Sequence, residues 1–160
     1  MDSAPGQGST FKIYLPRIAA PAVRPILRPV RKPSPGTESV LVVEDDERIR
    51  RLAVRVLTSR GYEVRSAANS EEALAVAGAG APLDLLITDV VLPGLSGREL
   101  AEKLIAQNPD LRVLFMSGYT DDAIIRYGVL ELGVAFLQKP FTPAALLERL
   151  RETLDADAAR

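Results

Sequence analysis

The 160-residue sequence contains no cysteine and no histidine. The first absence excludes disulfides and thiol chemistry; the second excludes a Ser-His-Asp triad, a histidine-ligated zinc and a phosphohistidine supplied by this chain. No apolar run approaches the ~20 residues that span a bilayer, and no N-terminal stretch is typical of a signal peptide. A net charge of -1 gives no general attraction to a polyanion. We therefore expect a cytoplasmic protein without nucleic-acid or membrane partners.

The first 38 residues differ in composition from the rest. Prolines recur every few residues from Pro16 to Pro35, interleaved with basic residues, so residues 17–38 are predicted to form an extended linker. Before the linker, Thr10–Leu15 is a short strand-like run that follows two glycines. Because so short a strand buries too little surface to be stable alone, we expect it to pair outside this chain or to dock on the domain that follows.

From Val40 onward, strand-like apolar runs alternate with helical periodicity. Strands are predicted over residues 40–43, 63–66, 83–88, 112–116 and 134–137. Helices are predicted over residues 46–60 and 96–107, from residue 69, and over 120–131 and 142–154. Strict alternation predicts an α/β fold, a doubly wound parallel sheet with helices on both faces. The first, third and fourth runs are mostly apolar, as inner strands are, which fits the flavodoxin-like (βα)5 strand order 2-1-3-4-5 over residues 39–156.

Chemically active side chains stand where the predicted strands end: Glu44, Asp45, Asp46, Asp89, Ser117 and Lys139. The carboxyl ends of parallel strands share one edge, so we expect these groups to converge there. Asp46 is predicted to cap the helix that follows. That leaves Glu44 and Asp45 as ligands for Mg²⁺, which prefers oxygen ligands, and Asp89 as a metal ligand and a nucleophile for a phosphoryl group.

Lys139 lies between the fifth strand and Pro140, and the peptide bond before Pro140 is a candidate for cis geometry. The lysine ammonium can pair with Asp89 and later with phosphoryl oxygens, to which Ser117 can also donate its hydroxyl. Taken alone, Lys139 would be an ordinary surface lysine and Ser117 a turn residue. The functional roles predicted for Lys139 and Ser117 depend on the carboxylates that are expected beside them.

In order and spacing, these residues resemble the receiver domain of two-component response regulators. The segments that carry the resemblance are Val40–Asp46, Asp89 with Pro93 and Gly97, Met116–Gly118 and Phe136–Pro140. The resemblance implies that Asp89 takes a phosphoryl group from a partner's phosphohistidine, beside Mg²⁺ held by Glu44, Asp45, Asp89 and the backbone carbonyl of Val91. It implies that Lys139 and Ser117 contact the phosphoryl group. Such a domain is a signalling phosphoacceptor that promotes its own phosphorylation and dephosphorylation.

Two positions depart from the usual pattern of that family. Glu44 stands where aspartate is more usual, and its longer arm is expected to reach the metal through water. Phe136 lacks the hydroxyl of the tyrosine often found there. If Ser117 and Phe136 form the switch that the resemblance implies, their coupling must rely on packing.

The segment Gly6–Pro16 resembles the closing glycine box and last strand of the ATP-binding domain of sensor histidine kinases. This resemblance implies that residues 1–16 are a remnant of that domain, from a hybrid histidine kinase whose catalytic core is not in this chain. The expected partners are a kinase phosphohistidine domain or a histidine phosphotransfer protein, with a weak homodimer as a further option. Because no output domain follows Arg160, relay or feedback is expected rather than DNA control.

The sequence alone does not exclude three other functions. A phosphatase with an aspartate nucleophile usually carries a second aspartate two residues later, where this chain has Val91. A non-phosphorylated receiver-like docking module would keep the fold without the chemistry. Nucleic-acid binding through residues 1–38 is the third, although the basic residues there are diluted by proline and lack interleaved aromatic residues.

Overall fold

The computed structural model describes residues 2–4, 6, 8–10, 12, 14, 36–118 and 135–156. The chain divides into two compact units, Met1–Arg31 and Lys32–Arg160. In the first unit, strands β1 (Asp2–Ala4) and β2 (Gly8–Thr10) pair antiparallel. Gly6 lies between them with φ 76°, a conformation that glycine adopts without strain. The first unit therefore contains a small hairpin.

The strand predicted over Thr10–Leu15 is wrong at the described positions after Thr10. Thr10 ends β2, and Lys12 and Tyr14, the other described residues of that run, lie outside any strand. The strand that does form pairs with the N-terminus of its own chain. The prediction treated the glycines only as residues that precede a strand. Gly6 instead forms a turn, which brings the residues on either side of it together.

The second unit is built on a five-stranded parallel sheet. Its strands are β3 (Ser39–Val43), β4 (Glu63–Ala67), β5 (Leu85–Asp89), β6 (Arg112–Ser117) and β7 (Ala135–Gln138). The spatial order is β4-β3-β5-β6-β7, which is 2-1-3-4-5 when counted from β3. The predicted flavodoxin-like fold is confirmed. In this order β4, which contains the run at 63–66, is an edge strand.

The helices described in this unit are α1 (Glu47–Thr58), α2 (Ser70–Gly78), α3 (Gly97–Gln107) and α4 (Pro143–Asp155). Asp46 caps α1 as predicted, because its side chain accepts hydrogen bonds from the backbone N–H groups of Arg48 and Ile49. Ser96 and Glu99 form a complete capping box at the start of α3. Thr142 caps α4 ahead of Pro143. The helix predicted over residues 120–131 lies outside the described residues.

Alternate strand residues supply two separate hydrophobic cores, one on each face of the sheet. Leu41, Val43 and Phe115 join the core beneath α2 and α3, whereas Val42 and Leu114 join the core beneath α1 and α4. Strands β3, β5 and β6 are therefore buried on both faces, and their carboxyl ends are held in place by packing. Within the described residues, no helix is both long and apolar enough to cross a membrane.

Candidate functional site

Three carboxylates converge at the carboxyl ends of β3 and β5. Val43 lies opposite Thr88 in the parallel register, so Glu44 and Asp89 follow at neighbouring positions. Ligand oxygens of Glu44, Asp45 and Asp89 all lie within 4.8 Å of one another. Glu44 is 1% exposed, whereas Asp45 is exposed to solvent. The predicted convergence of these acids is present in the structure.

Lys139, just after β7, contacts two of these carboxylates. Its Nζ lies 2.7 Å from Asp89 Oδ2 and 2.5 Å from Glu44 Oε2. Its backbone N–H donates to the carbonyl of Ser117 at 2.7 Å, and the Lys139–Pro140 peptide bond is cis. Pairing with Asp89 follows the expectation, while the contact with Glu44 was not predicted. Lys139 thus joins the ends of three strands.

Burial and pairing act in opposite directions on the charges of this cluster. Burial raises the pKa of Glu44, and the nearby Lys139 ammonium offsets only part of that rise. Burial also acts to lower the pKa of Lys139, but hydrogen bonds to Asp89 and Glu44 outweigh it, so the net shift is upward. Lys139 therefore stays an ammonium at neutral pH. One ammonium faces three carboxyl groups, so the cluster carries an excess of negative charge.

The backbone around Asp89 is held on several sides. Asp89 Oδ1 accepts a hydrogen bond from the backbone N–H of Val91 at 3.1 Å, and its carbonyl accepts one from Thr88 Oγ1 at 3.0 Å. Gly97 packs so closely that a Cβ there would lie 1.9 Å from the Asp89 carbonyl oxygen. A side chain at residue 97 would therefore displace Asp89.

Arg50, which the sequence reading did not single out, also supports the site. Its Nη1 donates to the carbonyl of Glu44 at 2.6 Å and to that of Asp45 at 3.2 Å. These bonds hold the segment between β3 and α1, from which both carboxylates project. The sequence does contain one indication of this role, because Arg50 lies at the start of α1 and only a few residues after Glu44 and Asp45.

The other predicted residues occupy the following places. Ser117 ends β6 and is 3% exposed. Phe136 lies on β7 opposite Phe115 and packs, partly buried, against the core beneath α2 and α3. Val91 is 53% exposed beside the acids, directly after Asp89 and Val90. Their roles as switch residues and as a carbonyl ligand stay predictions.

The donor set fits a hard divalent cation. Carboxylate oxygens are ligands that Mg²⁺ prefers, and it is commonly held by one or two carboxylates together with water and phosphate oxygens. Glu44, Asp45 and Asp89 supply such oxygens within 4.8 Å of one another, in a cluster where negative charge exceeds positive. Adjacent carboxylates repel, and a cation among them would relieve that repulsion.

Comparison with known proteins bears on the whole second unit. The family described as "Response regulator receiver domain" matches residues 40–151. The sensor kinase CckA of Brucella abortus is 36% identical over 163 aligned residues, which cover 96% of this chain and 17% of the kinase. The transcriptional regulatory protein FixJ of Azorhizobium caulinodans is 35% identical, with 78% of this chain and 58% of FixJ covered. The chain therefore spans only part of the length of these relatives.

Solved structures agree with the sequence relatives. A CheY-like receiver domain protein from Methanospirillum hungatei is similar with a TM-score of 0.68 and 31% identity, over 78% of this chain and 98% of that one. The receiver domain from the hybrid histidine kinase CckA is similar with a TM-score of 0.61 and 39% identity, over 72% and 98%. Receiver domains of two-component systems bind Mg²⁺ in an acidic pocket, where this chain has Glu44, Asp45 and Asp89. The chain belongs to the response regulator receiver domain family.

Proposed function

We propose that Asp89 accepts a phosphoryl group from the phosphohistidine of a partner protein, in a reaction that depends on Mg²⁺. The observation that carries the proposal is the placement of Lys139 Nζ 2.7 Å from Asp89 Oδ2, with Glu44 and Asp45 oxygens within 4.8 Å of the same carboxylate. A nucleophilic carboxylate, a fixed cation and two further acidic ligands are the parts that such a transfer requires.

The proposed transfer exchanges one bond to phosphorus for another. An Asp89 oxygen forms an O–P bond while the N–P bond of the donor imidazole breaks, and the bonding pair returns to the imidazole nitrogen. Lys139 offsets negative charge that collects on the phosphoryl oxygens, at a position already set by its contacts. A Mg²⁺ ion held by Glu44, Asp45, Asp89 and the Val91 carbonyl would supply further charge neutralisation when bound.

Readout of the phosphoryl group would involve Ser117 and Phe136. An acyl phosphate on Asp89 adds charge and acceptor oxygens next to the end of β6, where the Ser117 hydroxyl can move toward them. Because Phe136 lacks a hydroxyl, a change in its position would be transmitted through its packing against the core beneath α2 and α3. This part of the proposal describes a shift between two arrangements of the domain.

The rival functions lack specific support. The position two residues after Asp89 is Val91, whose side chain cannot act as the general acid of a phosphatase. A docking module has no need for a lysine placed between two carboxylates. Binding of nucleic acid through residues 1–38 falls on residues of which the structure describes few.

We further propose that the chain comes from a hybrid histidine kinase. The family match begins at residue 40, yet the similarity to CckA covers 96% of the chain and so extends into the N-terminal arm. That supports residues 1–16 as the end of a kinase ATP-binding domain and 17–38 as a linker. The partners would be a kinase phosphohistidine domain or a histidine phosphotransfer protein, in the cytoplasm, with a weak homodimer as a further option.

The test uses small phosphodonors, so that no cognate kinase is needed. The chain is incubated with acetyl phosphate or phosphoramidate, with Mg²⁺ or with EDTA, and its intact mass is measured. We expect a gain of one phosphoryl group, about 80 Da, only with Mg²⁺. Asp89→Asn should abolish the gain, whereas Asp110→Asn, at an exposed aspartate outside the cluster, should keep it. A gain that survives Asp89→Asn would refute the assignment, and no gain in the wild type would favour the docking module.

A further inference from the structure

We propose that Ser70 is a positioning residue for the loop between β5 and α3, residues 90–96. Ser70 is the first residue of α2 and is 3% exposed. Its Oγ accepts a hydrogen bond from the backbone N–H of Leu95 at 3.0 Å and donates one to the carbonyl of Pro93 at 3.3 Å. A single hydroxyl from a different helix thus holds both sides of the turn in this loop.

The loop is shaped to receive that hydroxyl. Gly94, between the two bonded residues, has φ 86°, and a Cβ at this position would lie 3.1 Å from Ser70 Oγ. Glycine is favoured here for both its backbone conformation and its lack of a side chain. Ser70 itself is held by α2, which Asn69 caps by accepting a hydrogen bond from Glu72 N–H. The support is therefore a buried contact between two ordered elements.

The loop is also fixed at its other end. Val90 N–H donates to the Met116 carbonyl on β6, and the Val90 carbonyl accepts from Gly97 N–H, both at 3.0 Å. Val91 directly follows Val90, which these two hydrogen bonds hold, and the turn bound by Ser70 begins at Pro93. The path of the backbone from Asp89 through Val91 is thus determined from both ends.

This inference rests on the proposed function, in which the Val91 carbonyl is a metal ligand. A carbonyl ligand is effective only if its backbone is held where the carboxylates can share the cation, and supporting residues of this kind often change metal affinity by tenfold or more. Ser70 touches neither the metal ligands nor the phosphoryl group. Its effect would pass through the loop, and so it is a positioning residue.

The test measures metal affinity without any phosphodonor. Mn²⁺ serves as the probe, and the free ion is followed by electron paramagnetic resonance in the full chain. We expect Ser70→Ala to weaken Mn²⁺ binding about tenfold and to accelerate hydrogen exchange of the Leu95 amide, which loses its acceptor. Ser70→Thr, which keeps the hydroxyl, should retain more of the affinity than Ser70→Ala.

The matched control is Asn69→Ala. It removes the cap of the same helix, at the adjacent residue, and typically costs about 1 kcal/mol of stability, but it leaves the Ser70 hydroxyl in place. We expect its Mn²⁺ affinity to fall much less than that of Ser70→Ala. If Ser70→Ala binds Mn²⁺ as the wild type does, or if Asn69→Ala weakens binding equally, the inference is overturned and Ser70 has a general structural role.

The two proposals fail in different ways. A wild-type chain that binds no Mn²⁺ overturns the role of Ser70, whether or not Asp89 can be phosphorylated. A chain that binds Mn²⁺ in a Ser70-dependent manner, but gains no phosphoryl group from any donor, supports the role of Ser70 and overturns the proposed function alone.

Discussion

Two ionic clusters lie at opposite ends of the central sheet, and each joins one cation to two carboxylates. At the carboxyl ends of the strands, Lys139 contacts Glu44 and Asp89. At the amino end of β3, Arg151 from α4 contacts Glu38 at 2.7 Å and Asp155 at 2.9 Å. The two clusters have similar composition but differ in burial and in charge balance.

The two clusters differ in how far their carboxylates are buried. The side chain of Glu44 is 1% exposed and that of Glu38 is 25% exposed. Burial dominates at Glu44 and raises its pKa despite the nearby lysine. Burial also acts to raise the pKa of Glu38, but hydrogen bonds from Arg151 and from backbone N–H groups outweigh it, and the pKa is lowered. Ionised Glu38 therefore favours the folded state, whereas ionised Glu44 opposes it.

The cation and its surroundings also differ. Arg151 spreads its donors over Glu38, Asp155 and the hydroxyl of Tyr62, so it ties α4 to the start of β3 and to the residue before β4. Lys139 is a point charge shared between two carboxylates, and the third, Asp45, adds negative charge beside them. The Arg151 cluster therefore acts as a structural fastening. The Lys139 cluster carries an excess of negative charge, which a bound cation would reduce.

The largest expected difference is in phosphorylation rate. Lys139→Ala removes the ammonium next to Asp89, and loss of one preorganised charge typically costs about 100-fold or more in rate. Arg151→Ala removes a cation with equally many carboxylate partners, but at the far end of the sheet, and should leave the rate unchanged. The measurement is the initial rate of mass gain with acetyl phosphate and Mg²⁺.

Both variants must first show wild-type far-UV circular dichroism, so that unfolding is not mistaken for lost chemistry. Equal rates for Lys139→Ala and the wild type would reduce Lys139 to a surface lysine. Equal losses in both variants would show that the two clusters act on the reaction through stability alone, and the contrast between them would fail.

A second difference is expected in stability. Glu44→Gln removes a buried carboxyl that resists ionisation and lies beside two other acids, while Lys139 keeps Asp89 as its partner, so the free energy of unfolding at pH 7 should rise. Glu38→Gln removes a carboxylate that is stabilised by folding, so the same quantity should fall by up to about 1 kcal/mol. Urea unfolding in EDTA, followed by circular dichroism, measures both.

The opposite signs are the point of that experiment, since both substitutions remove one negative charge next to one cation. Glutamine keeps nearly the volume of glutamate, which limits packing effects. Two decreases of equal size would mean that Lys139 compensates fully for the burial of Glu44, and the distinction between the clusters would then be one of position only.

The sequence allowed prediction of the fold and of most of the site because both depend on pattern. Continuous apolar runs identify inner strands, and parallel strands bring their carboxyl ends to one edge. The neighbourhood of Glu44, Asp89 and Lys139 follows from these two facts. The caps at Asp46 and Ser96 follow from local rules that involve residues only two or three apart.

The contacts that could not be predicted depend on the three-dimensional path of side chains. Ser70 bonds to Pro93 across 23 residues, and Arg151 bonds to Glu38 across 113. In the sequence, Ser70 resembles an ordinary first-turn serine and Arg151 an ordinary arginine on a solvated helix face. The second partner of Lys139 depends on the reach and burial of the Glu44 side chain, which helix and strand periodicity do not encode.

The smallest expected effect is a dependence on pH confined to the Arg151 cluster. The pKa of Glu38 lies below its ordinary value of 4.5 in the folded state. Its stabilisation is therefore complete above that ordinary value, and it is lost as the pH falls through the lowered folded value. The groups around Glu38 are Arg151, Asp155 and Tyr62, and folding raises the pKa values of Arg151 and Tyr62, so both keep their protons across this range.

We therefore expect the stability difference between the wild type and Glu38→Gln to be constant from about pH 7 to 5 and to shrink toward about pH 3, because the wild-type carboxyl also becomes neutral there. Urea unfolding at each pH gives the difference directly, and the carboxylates of the Lys139 cluster cancel because both proteins contain them. A difference that stays constant to the lowest pH would show that Glu38 stabilises through hydrogen bonds that do not require its charge. The Arg151 cluster would then differ from the Lys139 cluster in burial, but not in its dependence on an ionised carboxylate.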